Sequence, residues 1–147
     1  MRYCLLAALV ALAACGPPPT SVDDFSTRPV TLPGGHVIRV ETMIDPIDLT
    51  RGMMFRTSLA PDRGMLFVYP QSDRHWHWMY QTLIPLDMLW LDSNHNIVEI
   101  VDSAQPCQTQ ASKCQQYGGT QLSYYVLEIN GGLARKYGLQ LGQRIAW

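Results

Sequence analysis

A chain of 147 residues, 47 % of them hydrophobic, is long enough for one domain with its own core and short for two of ordinary size. Eleven Lys and Arg against twelve Asp and Glu give a formal charge of −1. No basic patch stands out, which argues against nucleic acid as a partner, and past residue 14 no apolar run approaches the roughly 20 residues of a membrane-spanning helix.

The first element in chain order is a targeting segment. Arg2 precedes a short apolar run over residues 3–10, and Leu12-Ala13-Ala14-Cys15 follows it. A charge, an apolar core of about ten residues, small residues and then cysteine describe a secretory signal ending in a lipobox. This order resembles bacterial lipoprotein signals, in which the cysteine is acylated and becomes the first mature residue. The expectation is a signal peptide over residues 1–14, lipid attachment at Cys15, and export to the periplasmic face of the envelope, on the outer membrane in enteric-type sorting because Gly16 is not Asp.

Residues 15–28 hold the acylated cysteine, three consecutive prolines and polar residues, a composition that makes a tether rather than a core. A single domain is expected over residues 29–147. Residues 30–32 and 36–42 read as strands around Pro33-Gly34-Gly35. Asp45-Pro46 opens a short helix ending at Gly52, with Pro46 in the first turn and Asp48 at its positive end. Residues 65–69 form a continuous apolar run between Gly64 and Pro70, as in a strand buried on both faces. Further strands are expected at 76–80, 88–91, 97–101, 124–129 and 143–147. A turn is expected at 92–96, and a short helix at 133–137 with Gly138 as its stop. Seven or eight short strands with two helical turns predict a mainly β fold, a jelly-roll-like β-sandwich or a distorted barrel.

Several of these stretches together resemble the domain of unknown function 192 family. The residues that carry the likeness are Arg51-Gly52-Met53-Met54-Phe55-Arg56, Gly64-Met65-Leu66-Phe67, Trp78-Met79 with Thr82, Pro85-Leu86-Asp87, and Leu127-Glu128 before Gly131-Gly132. The resemblance implies a β-sandwich and carries no established activity. Gln81 stands where the family usually has Asn.

Cys107 and Cys114 are the cysteines that remain beyond the signal and the lipid. Six residues separate them in a polar stretch of an exported chain, so a disulfide leads over a two-thiol metal site or a redox pair. Closing a loop of about eight residues contributes roughly 2.5 kcal/mol in the chain-entropy model. On a strand His75 and His77 share a face, which is a metal-ligand spacing, with His95 a third candidate. The methionines near them fall in apolar family motifs, so packing explains them and no metal or cofactor is assigned. Asp87 and Glu128 are acids inside apolar strands. They either fix loops, through amides or Arg51 and Arg56, or form the carboxylate pair of a hydrolase. Trp76, Trp78, Tyr80, Trp90, Tyr117, Tyr124 and Tyr125 exceed what a small core absorbs and suggest a flat stacking face.

The reading that follows is a lipid-anchored, non-enzymatic module that binds a carbohydrate or cell-wall fragment. Trp76, Trp78, Gln81, Thr82, Asp87 and Glu128 are its ligand-binding candidates. The alternatives are a protein-interaction or structural module in envelope assembly and, third, a hydrolase using Asp87 and Glu128. The anchor is tested by Cys15→Ser, which should move the protein out of the membrane fraction or leave it uncleaved. Unchanged partitioning on fractionation would overturn the assignment.

Overall fold

The computed structural model describes residues 27–147; the signal, Cys15 and most of the tether lie outside them. Eight strands follow in order: β1 (Thr27–Thr31), β2 (Val37–Met43), β3 (Arg63–Asp73), β4 (Trp76–Trp78), β5 (Leu86–Leu91), β6 (Ile97–Ala104), β7 (Gln116–Gly118) and β8 (Ser123–Asn130). Two short helices, α1 (Pro46–Arg51) and α2 (Leu133–Lys136), and one 3-10 turn are the other elements among the described residues. Six strands form one sheet in the order β1-β2-β3-β8-β5-β6, while β4 and β7 pair separately. All pairings are antiparallel except β2 with β3. The fold is mainly β and sandwich-like, and its sheets do not close into a barrel.

Strand alternation divides the apolar residues of the large sheet into two layers. Leu66, Leu127 and Leu89 are neighbours across β3, β8 and β5, and they face Leu133 and Ala134 of α2 and Ile145. The neighbouring positions Phe67, Val126 and Trp90 point the other way, into a layer with Met53, Met79 and Met88. Trp90 is fully buried there and donates from its indole to the carbonyl of His75, which ties the small sheet to the large one. Gly118 of β7, at φ +70°, lies against the same indole; a Cβ there would come within 2.0 Å of Trp90, so the close approach requires glycine.

Three local expectations change. β1 begins at Thr27, because Thr27 and Arg28 pair with Glu41 and Val40 rather than belonging to the tether. Residues 143–147 form isolated bridges (Thr31 with Ala146, Asn96 with Arg144) in place of a last strand. β7, only three residues long, had no apolar pattern to reveal it. Cys107 and Cys114 are joined by a disulfide that closes the loop before β7.

Asp87 is wholly buried and pairs with neither Arg51 nor Arg56. Its Oδ1 accepts from the backbone N–H groups of Ser103 and Gly132, both at 2.8 Å, and its Oδ2 from that of Ala134 at 2.6 Å. Gly132 is the N-cap of α2 and has no side chain to satisfy the first turn, so the carboxylate of a neighbouring strand does it. Asp87→Asn presents an N–H where an acceptor is required and should lower stability by about 1–3 kcal/mol, read as the urea midpoint at unchanged slope. An unchanged midpoint would show that the carboxylate is not what holds α2.

Candidate functional site

Glu128 sits on the opposite face of the sheet from Asp87. Its neighbours across β3 and β5 are Met65 and Met88, so its carboxylate emerges in an apolar row. A buried carboxylate needs donors, and β4 supplies one. His77 of β4 donates from Nδ1 to Glu128 Oε1 at 2.9 Å, with both side chains nearly inaccessible. The other ring nitrogen, Nε2, lies 2.9 Å from the hydroxyl of Tyr69 on β3. Phe67 and Trp90 pack edge-on against the imidazole, and His75 stacks on Tyr69 at 3.6 Å, so packing fixes both rings.

Burial, and after it the nearby Glu128 charge, push the Tyr69 hydroxyl well above the ordinary tyrosine range. The phenol therefore stays protonated and can donate to His77 Nε2, while His77 Nδ1–H donates to Glu128. That arrangement gives each ring nitrogen of His77 a partner and Glu128 Oε1 a donor. A phenol held protonated is a hydrogen-bonding group rather than a nucleophile.

This Tyr69–His77–Glu128 chain forms the floor of a cleft of about 200 Å³. Leu49, Thr50 and Arg51 at the end of α1 make one wall, and Trp76, Trp78 and Tyr80 make another. The Trp76 and Trp78 rings are 6.3 Å apart at 82°, and Trp78 and Tyr80 are 5.3 Å apart at 44°. The rings thus face different directions, not the one flat face expected from sequence, because turned rings pack edge to face. Trp76 is 53 % exposed, whereas Trp90 is wholly in the core.

Of the six ligand-binding candidates, Trp76, Trp78, Thr82 and Glu128 line this cleft and Asp87 and Gln81 do not. Asp87 and Glu128 cannot share a substrate, because adjacent registers on β5 and β8 put them on opposite faces; the hydrolase pair is thereby excluded. Gln81 acts through its backbone at φ +54°, accepting from Phe55 N–H at 2.8 Å and donating to Cys107 at 2.9 Å. Asn tolerates that conformation better than Gln. Arg56 pairs with Glu41 through two contacts of 2.6 Å.

The three histidines do not converge. His95 lies in the turn before β6, stacked on Trp147 at 3.6 Å and edge-on to Tyr125, in the layer opposite His77. Among the described residues no group of three or more His, Cys, Asp or Glu is placed to hold a metal ion. Tyr69, inside a run read as purely apolar, and the α1 wall went unread as site residues, since neither carries a local signature.

Comparison with known proteins agrees with this frame. The model of the DUF192 family (Uncharacterized ACR) matches residues 29–147. The chain belongs to this family. A Novosphingobium aromaticivorans DSM 12444 protein of unknown function is 30 % identical, with a TM-score of 0.74 over 96 % of this chain and 99 % of that one. A Sinorhizobium meliloti 1021 protein, described as a candidate transcription regulator, is 33 % identical, with a TM-score of 0.70 over 80 % of this chain and 88 % of that one. No curated protein matches this DUF192 chain.

Burial above all, with Arg144 and Arg28 nearby, holds the His95 imidazole below its ordinary range, only partly offset by Asp92. The unfolded chain then binds a proton more readily than the folded one as pH falls through the ordinary imidazole range near 6.5. Stability present above that range should therefore decline toward pH 5, and His95→Gln should flatten the decline in urea midpoint. An identical pH profile in the variant would remove His95 from the account.

Proposed function

We propose that this DUF192 protein is a lipid-anchored module of the cell envelope that binds a small ligand without transforming it, a carbohydrate or cell-wall fragment being the class. The observation that carries the reading is the cleft itself, with aromatic rings on one wall and a hydrogen-bonded polar chain on an otherwise apolar floor. Recognition sites commonly have this composition: apolar walls and a few fixed polar groups. Its volume of about 200 Å³ falls below the roughly 300–1,000 Å³ of drug-sized sites, so one ring or a short fragment fits. The exposed face of Trp76 offers a stacking surface, and the Tyr69 oxygen and Glu128 Oε2 offer fixed acceptors to hydroxyl groups.

A second reading, a protein-interaction module in envelope assembly, has one observation in its favour. Ile44, Ile47 and Phe55 around α1 are 63 %, 80 % and 57 % exposed, beside the cleft mouth.

The test is a thermal-shift screen of the purified mature protein against monosaccharides, amino sugars and muropeptides. A ligand at 100 times Kd should stabilise the fold by about 2.7 kcal/mol. Trp76→Ala should weaken that ligand about tenfold or more while leaving the unliganded melting temperature nearly unchanged, since Trp76 is exposed. No shift with any compound at millimolar concentration would turn the assignment toward the interaction module.

A further inference from the structure

The cleft combines groups that a neutral sugar would leave unused. Glu128 is 4 % exposed and lines the cleft, with Oε1 taken by His77 and no hydrogen bond to Oε2 among the described residues. A carboxylate buried to this degree with one oxygen unengaged is costly unless a donor or a cation meets it. Arg51 lines the same cleft, exposed and free of ion pairs among the described residues. The inclined rings of Trp76, Trp78 and Tyr80 line the same cleft, and their faces attract a cation from more than one direction. Met53 and Met54 complete the lining with polarisable thioethers.

We infer that the cleft recognises an α-amino-acid head group, its ammonium on Glu128 against the aromatic wall and its carboxylate on Arg51. This deepens the proposed function and rests on it, narrowing the ligand to a fragment that carries a free amine next to a carboxylate. His77 is a positioning residue in this scheme: it holds Glu128 Oε1, so that Oε2 is left to the ligand. The Arg51 guanidinium matches a carboxylate through paired N–H donors.

Isothermal titration of the purified mature protein at pH 7 with glycine, D-alanine, glucosamine and N-acetylglucosamine separates the contributions. The two amino acids should bind at least tenfold more tightly than N-acetylglucosamine, which has neither charge. Glucosamine, with an ammonium and no carboxylate, should fall between them. Arg51→Met changes an exposed side chain, so the variant should fold normally; it should weaken the amino acids about tenfold and leave glucosamine unchanged. Glu128→Gln should weaken glucosamine and the amino acids alike. N-acetylglucosamine binding as tightly as glucosamine would overturn the head-group assignment and leave the binding module standing. Glucosamine as tight as the amino acids, or amino-acid binding indifferent to Arg51→Met, would overturn the carboxylate half. Failure of these four probes together with the wider sugar and muropeptide screen would overturn both readings.

Discussion

A carboxylate flanked by Met65 and Met88 has to find donors at close range, and the cleft is built around how Glu128 finds them. The nearest donor comes from another sheet. β4 is three residues long and pairs only with β7, so its position depends on contacts with the large sheet. The His77–Glu128 hydrogen bond and the indole of Trp90 on the His75 carbonyl are two such contacts, one on each side of Trp76. They hold β4 where the rings of Trp76 and Trp78 stand over the floor. Removing the charge would therefore loosen the aromatic wall as well as the floor, and the two cannot be altered independently.

The opposite face uses a buried carboxylate for a different purpose. Asp87 has three backbone donors, which occupy both its oxygens and leave little capacity for a ligand. Glu128 has one donor and an opening to the cleft. Both acids are buried to a similar degree, so burial does not distinguish the structural acid from the candidate binding one. What distinguishes them is how much hydrogen-bonding capacity the fold has already used. On that measure Asp87 is a fastening for α2 and Glu128 is available.

Much of the frame was legible because its signals are local. Pro46 after Asp45, the Gly64-bounded apolar run and Gly138 after α2 each marked an element with a chain-local reason. The Cys107–Cys114 pair was legible for a similar reason, lying in one short loop. The candidate site was only partly legible. His77 and Glu128 stood out as unusual, but they lie 51 positions apart, and nothing local says that one answers the other. His77 consequently suggested metal ligation with His75 and His95, when its partner was an acid on β8. Asp87 and Glu128 looked alike in sequence because each is an acid within an apolar strand. Only the register, Met88 opposite Glu128 and Asp87 opposite Ile129, separates their faces. Tyr69 was hidden by its type, since a tyrosine ending an apolar strand is ordinarily packing.

The walls of the cleft differ in how firmly they are held, and that difference bears on binding. The floor takes Tyr69 and Glu128 from β3 and β8, central strands of the six-stranded sheet, and His77 from β4, with Phe67, Trp90 and His75 packed against its rings. The α1 wall is six residues long and buries none of them. The loop after α1 is tied down by Phe55 N–H on the Gln81 carbonyl and by the Arg56–Glu41 pair, both beyond the residues that line the cleft. Segments with little buried apolar area open at low free energy, whereas central strands open only with the whole fold. A polar floor held by the sheet under a wall that costs little to displace would let the proposed ligand enter from the α1 side without disturbing the groups proposed to recognise it.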